Sequence, residues 1–349
     1  MRDARCGVDE LDDAWEEWEG TSGVLDGRIK VLYVAGFGRS GSTLLGNVLG
    51  QVKGFVSVGE IRNIWLHGLI QNKICGCGAP FNECEMWQPA LNEAFGGVGG
   101  VDPEKMIRLR ERWSRTMHIP LMLAPPTRRL IRRRLAEYLD NLERLYRAVQ
   151  TTTGSRVIVD TSKFPSYGFT VGMVPTIDLR VVHLVRDPRA VAYSWSRKRL
   201  QPDPENPEYM LRHSPVASSS RWMARNLATE AFWRRSKERY LMLRYEDFVA
   251  EPQRTIRRVL ELVGEGAASL PHVADHEVKL GPNHNVWGNP SRFQTGTVKI
   301  RPDTEWVSRI KPGHGRLISA LTLPLLARYG YPAVAGGLGS VPGGQGGGG

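Results

Sequence analysis

The stretch from Val31 to Leu45, VLYVAGFGRSGSTLL, constrains this chain more than any other. Val31-Leu32-Tyr33-Val34-Ala35 is an unbroken apolar run with the β-branched and aromatic content of a buried strand. Gly36, Gly38 and Gly41 interrupt it, and Ser42-Thr43-Leu44-Leu45-Gly46-Asn47-Val48-Leu49 resumes at helical spacing. A strand, a glycine loop and a helix start, in that order, build an anion site. The loop N–H groups and the positive end of the helix dipole face one point.

The spacing nearly fits the nucleotide loop G-x-x-x-x-G-K-[ST]. Gly36, Gly41 and Thr43 occupy three of its positions, but Ser42 stands where the lysine belongs and Arg39 is the loop's only cation. Nucleoside-triphosphate enzymes use that lysine on the β- and γ-phosphates, so ordinary ATP or GTP chemistry is disfavoured. The plain alternative is a ligand-free glycine turn. Three glycines, a cation and the hydroxyls of Ser40, Ser42 and Thr43 exceed what such a turn needs.

Read as Gly-x-Gly-Arg-Ser-Gly-Ser-Thr-Leu-Leu after a first strand, the loop resembles the 5′-phosphosulfate loop of sulfotransferases. Those enzymes use 3′-phosphoadenosine 5′-phosphosulfate (PAPS) as donor. The arginine form is most similar to that of carbohydrate and tyrosyl-protein sulfotransferases and of bacterial relatives. The resemblance implies that Gly38, Arg39, Ser40, Gly41, Ser42 and Thr43 hold the 5′-phosphosulfate.

The chain of 349 residues suffices for one large α/β domain or two small ones. Its net charge of +11 suits an anionic ligand, but also nucleic acid or anionic lipid. No apolar run approaches the ~20 residues of a membrane span. The start, MRDARCGVDELDD, lacks the apolar core of a signal peptide, and four cysteines do not make a disulfide scaffold. The expectation is a cytoplasmic protein.

Residues 1–28 are acidic and carry Trp15 and Trp18, which favours partial order over a loose tail; the glycine-rich end, 334–349, is expected to be disordered. Between them lies one domain, 29–333, with a helical, arginine-rich insertion at about 101–150. Helices are expected at Met106–Met117 and Thr127–Val149. Further strands are expected at Phe55–Val58, Arg156–Asp160, Leu179–Val185 and Tyr240–Tyr245. Helices are expected from Pro188 to about Arg199, with Asp187 as N-cap, at Ser219–Arg239 and at Pro252–Val263. Gln201–Pro207 reads as a loop. Strands alternating with helices imply a parallel sheet with right-handed crossovers, whose ligands bind beyond the carboxyl ends of the strands.

At those ends stand the other candidates. Arg186 ends a strand and Ser194 lies in the second turn of the next helix, so a guanidinium fork and a hydroxyl can face one phosphate monoester. The alternative is an arginine paired with Asp187 beside a routine serine. The spacing resembles the family's 3′-phosphate motif. The resemblance also implies that Tyr245, in Arg244-Tyr-Glu-Asp247, lies near the adenine or its phosphate, and that Arg292 closes a late loop over the 3′-phosphate. The family's usual Arg-Lys-Gly triplet is absent there.

Sulfuryl transfer needs an in-line acceptor, a base on its proton and cations on the charged oxygens; it requires no metal. The resemblance implies Glu60 as base, with Lys163 and Arg39 stabilising the transferring group. Glu60 can equally cap or pair with the next helix, where Arg62 is near. Asp160 ends an apolar strand as a magnesium-binding aspartate would, but the missing loop lysine favours a role as cap or hydrogen-bond anchor. Cys75, Cys77 and Cys84 form C-x-C-x₆-C, which a fourth nearby ligand could complete as a zinc site, but with no near histidine beyond His67 buried thiols or a labile disulfide are expected instead, and no metal. His183 reads as core, and His284 is one of several scattered histidines. Arg128, Arg129, Arg132, Arg133 and Arg134 make a cationic helix. That is a solvated surface or a place to gather an anionic acceptor or touch an anionic surface.

The expected protein is therefore a PAPS-dependent sulfotransferase with a P-loop-like three-layer α/β fold, a central parallel sheet flanked by helices. The resemblance spans about residues 30–310 by motif order. Its acceptor would be a hydroxyl on a carbohydrate, glycolipid or small metabolite, and nucleic acid is not expected as a partner. The rivals are a P-loop kinase or NTPase, and a basic nucleic-acid-binding protein.

Overall fold

The computed structural model describes residues 27–198, Leu200 and 209–333. The acidic N-terminal segment up to residue 26, the 201–207 loop and the glycine-rich end lie outside the described residues. A five-stranded parallel sheet runs in the order β2-β3-β1-β4-β5, with β1 at Ile29–Gly36, β2 at Phe55–Gly59, β3 at Val157–Lys163, β4 at Ile177–Val185 and β5 at Tyr240–Arg244. The chain leaves β1 toward β3 and β2 on one side and places β4 and β5 on the other. The loop after β1 therefore sits where the winding reverses, the position at which such sheets bind ligands.

Strand β1 explains the apolar run. Val31, Tyr33 and Ala35 face one core with the Trp87–Phe95, Ala136–Thr153 and Pro165–Gly172 helices. Leu32 and Val34 face a second core with the Ser42–Leu49 and Pro252–Leu262 helices. A strand covered on both faces has no polar side to alternate with. Each fully buried side chain of this size contributes about 1.5–3 kcal/mol.

Element boundaries moved where caps decide them. The helix expected from Ser219 starts at Pro215, because Pro215 takes the first helical position and the Ser214 hydroxyl accepts from the Ala217 N–H; it ends at Trp233. The 127–149 helix is two helices, Pro125–Arg134 and Ala136–Thr153, broken at Leu135. Asp187 does cap the Pro188–Ser196 helix, accepting from the Arg189 N–H. A small antiparallel sheet was not foreseen: β6 (His272–Ala274), β7 (Glu277–Leu280) and β8 (Gly296–Lys299). Its strands are three or four residues long, too short for alternation to register. Among the described residues, no helix is long and apolar enough to cross a membrane.

Candidate functional site

Most of the residues singled out in the sequence come from separate strand ends and converge on one cleft of about 430 Å³. Its floor is the glycine loop. Gly36 closes β1 at φ +135°, and a Cβ there would lie 2.5 Å from the Leu184 carbonyl oxygen of the neighbouring strand. Gly41 caps the Ser42–Leu49 helix at φ +90°, with the Tyr245 ring 2.5 Å from where its Cβ would stand. Only glycine fits both positions. No side chain caps that helix, so its first N–H groups point into the cleft. Between them Arg39 holds a left-handed backbone, φ +72°, a conformation costly for a side-chain-bearing residue. Its guanidinium lies 4.9 Å from the centre of the Trp195 ring and 2.9 Å from Met210 Sδ. Gly38, Arg39, Gly41, Ser42 and Thr43 line the cleft. Ser40 does not; it is buried, and its hydroxyl has no protein partner.

Glu60 and Lys163 meet across the sheet. Glu60 follows β2, Lys163 ends β3, and they form an ion pair whose two side chains are each 11% exposed. Glu60 caps no backbone; its other oxygen accepts from Asn63 Nδ2 at 2.9 Å. Arg62 turns to Glu111 instead. Lys163 also has a left-handed backbone, φ +68°, at a break in the β1–β3 register. A Cβ on Gly288 would lie 3.3 Å from Glu60 Oε1 and 3.6 Å from Thr43 Oγ1, so the late loop closes directly over Glu60 and the helix start.

Arg186 leaves the end of β4, 6% exposed. Nη1 donates to the Arg39 carbonyl at 2.9 Å, Nη2 to Asp303 at 2.8 Å, and the guanidinium lies 4.3 Å from the centre of the Tyr245 ring. Asp187 instead binds Arg189. Ser194 and Tyr245 share the cleft with Arg186, and burial raises the Tyr245 phenol above its ordinary pKa.

Arg292 departs from the expectation. It is buried, donates to the carbonyls of Gly288 and Ile74, and packs on Phe293, so it braces the late loop from behind and does not line the cleft. Asp160 is fully buried beneath the site. It accepts from Tyr146 OH at 2.6 Å and from the Ser162 N–H, and burial pushes it up to about 6. That is an anchor for the end of β3, Thr161–Lys163, and it offers no open carboxylate for magnesium. His183 is core, bonded to Tyr240 and Asn226 and held down to about 4 by burial.

Sequence reasoning missed Arg221, Arg225, Trp195 and Asp303, all of which line the cleft. Arg225 is stacked 3.7 Å over Phe164, and burial together with Arg62 lowers it to about 10. The signal was present: Arg221 and Arg225 are four apart, hence on one helix face. A larger depression of about 870 Å³, lined by Arg28, Arg128, Arg129, Arg132 and Arg133, lies at the opposite, N-terminal end of the strands. It contains neither the glycine loop nor Glu60, Lys163 or Arg186.

Cys75 and Cys84 are buried free thiols, as expected, but the histidine beside them is a different one. His67 is not beside the cysteines; it stacks on Trp287 at 3.7 Å. His284, set aside as scattered, joins Cys75, Cys77 and Cys84.

Comparison with known proteins agrees with this architecture. The model of the Sulfotransferase family matches residues 32–267. Carbohydrate sulfotransferase 2 of Mus musculus and that of Homo sapiens are each 31% identical, in a match covering 26% of this chain and 23% of the relative. The chain thus matches about a quarter of the length of these curated relatives. The sulfotransferase domain from the Synechococcus PCC 7002 olefin synthase has the same fold, with a TM-score of 0.50 at 20% identity over 89% of this chain and 98% of that one. With the family's model matching well over half its length, and a glycine loop, strand order and cleft of the kind described above, this chain belongs to the sulfotransferase family.

Proposed function

We propose that the cleft transfers a sulfuryl group from PAPS to a hydroxyl of a carbohydrate, glycolipid or small metabolite. The observation that carries this reading is the convergence of the lysine-free glycine loop, Arg186 and the Glu60–Lys163 pair on one cleft. Family membership supports the reaction class.

In this reading the loop N–H groups, Ser42 and Thr43 bind the 5′-phosphosulfate, while Arg186 and Ser194 bind the 3′-phosphate beside Tyr245. Arg186 already holds Asp303, so the 3′-phosphate displaces that carboxylate or shares the guanidinium with it. Arg292 is given no part in donor binding. Glu60 takes the acceptor proton as the acceptor oxygen bonds to sulfur and the bond from sulfur to the phosphate oxygen breaks. The electron pair leaves on the 5′-phosphate, where Lys163 and Arg39 stabilise it. Lys163 serves both partners, pairing with Glu60 and meeting the departing charge. Arg221 and Arg225 add positive potential on the wall facing the loop.

Calorimetry with 3′-phosphoadenosine 5′-phosphate, against ATP with magnesium, tests the donor. Tight, magnesium-indifferent binding of the bisphosphate, weakened by Arg186→Ala, is the expected result. Binding of ATP with no binding of the bisphosphate would overturn the reading.

A further inference from the structure

The cysteine loop packs against a segment 200 residues later. Ile74 and Pro80 bridge the base of the loop, the Cys75 N–H donates to the Ala79 carbonyl, and Gly78 turns the chain at φ +96°. This brings Cys75 and Cys77 to one side. A single helical turn, Phe81–Glu83, then delivers Cys84. The opposing strand of chain is fixed by its own hydrogen bonds. The Gly76 N–H donates to the Asn285 carbonyl, Trp87 Nε1 donates to the His284 carbonyl at 2.7 Å, and Asn285 holds Ser57 and Asn47. A Cβ on Gly76 would collide with Asn283, so the two segments meet backbone to backbone.

The three Sγ atoms and a His284 ring nitrogen all lie within 4.8 Å of one another. Cys77 and Cys84 are 3.7 Å apart at sulfur, and Cys84 Sγ is 3.2 Å from His284 Nδ1. All three thiols are free. A tetrahedron with Zn–S bonds of about 2.3 Å has S···S edges of about 3.8 Å. The other ring nitrogen, Nε2, turns toward the exposed Glu85 carboxylate, 4.0 Å away and beyond hydrogen-bond distance. Phe81 and Trp87, both fully buried and 5.2 Å apart, lie in the same corner.

We infer that Cys75, Cys77, Cys84 and His284 bind one zinc ion in a structural site. Three thiolates and one imidazole suit zinc, and four protein ligands leave no position for substrate or reacting water. Binding releases the three thiol protons to solvent. The ion staples the 75–84 loop to the segment that continues into Trp287, Gly288, Asn289 and Ser291, the wall of the cleft over Glu60. It thus holds one side of the cleft without taking part in the reaction, and the inference does not depend on the sulfuryl-transfer reading.

The test uses the full chain purified without a histidine tag. Zinc is measured by mass spectrometry after dialysis into metal-free buffer, and the stripped protein is titrated with cobalt. One tightly held zinc per chain is expected, released when a mercurial blocks the thiols. Cobalt should give the intense visible and thiolate charge-transfer absorption of a tetrahedral site. Cys84→Ser should lose the metal, and His284→Ala should lose it or shift the cobalt spectrum. A folded wild-type chain with substoichiometric zinc and no cobalt spectrum would overturn the inference. So would a Cys77–Cys84 disulfide found by peptide mapping, or a His284→Ala protein with unchanged metal content and spectrum. The wild-type measurements decide the matter even if a variant fails to fold.

Discussion

The glycine loop and the cysteine corner solve the same problem, fixing several polar groups around one point, in opposite ways. The loop spends eight consecutive residues, Gly36–Thr43, between a buried strand and a helix. Its groups are backbone N–H donors, so their aim follows from local φ and ψ. The corner collects three side chains from residues 75–84 and a fourth from residue 284. Its aim depends on how two distant segments dock. The loop is therefore a contiguous device that fails locally, whereas the corner is a tertiary device that fails with the packing around it.

That contrast can be broken. The largest effect is expected at the cleft. Glu60→Gln should lower the turnover by about 10²–10⁴-fold if Glu60 is the base, with only a modest fall in melting temperature from leaving Lys163 unpaired. Steady-state rates beside calorimetric unfolding check this. A large fall in melting temperature instead would mean that the Glu60–Lys163 pair is chiefly structural.

Next is Arg186→Ala. Losing a charge-assisted fork should weaken the bisphosphate by about 1.5–3 kcal/mol, read by calorimetry. Binding unchanged within error would remove Arg186 from the donor site.

Gly41→Ala sharpens the comparison from the other side, because it strains a loop residue against a tertiary neighbour. Its φ of +90° and the Tyr245 ring predict a loss of about 1–3 kcal/mol in unfolding free energy together with weakened bisphosphate binding. A stable variant with intact binding would show that the loop tolerates a different path.

The smallest effect is Asp303→Asn. Freeing Arg186 from an ion pair whose carboxylate is partly exposed should tighten bisphosphate binding by up to about 1 kcal/mol, more at low salt than at high. Weaker binding would instead make Asp303 a positioning group for Arg186.

How much of this was legible in the sequence follows from the same contrast. The strand, loop and helix at 29–49, the Asp187 cap and the parallel sheet could be read because each rests on neighbours in the chain. Arg186 and Ser194 could be paired because one strand end and one helix carry both. Arg292 could not be placed. A cation in a polar loop reads as a ligand, and only the packing shows it donating backward to Gly288 and Ile74. Asp303 could not be assigned to Arg186 across 117 residues.

The sequence by itself determined the class of fold and the strand, glycine loop and helix start at 29–49, because apolar period, glycine freedom and helix polarity act over a few residues. Only the tertiary structure decided that Glu60 meets Lys163, that Asp303 occupies Arg186, and that His284 joins the three cysteines in one corner. Those are contacts between elements, and no local preference encodes the distance between two side chains that the chain brings together only when its cores close.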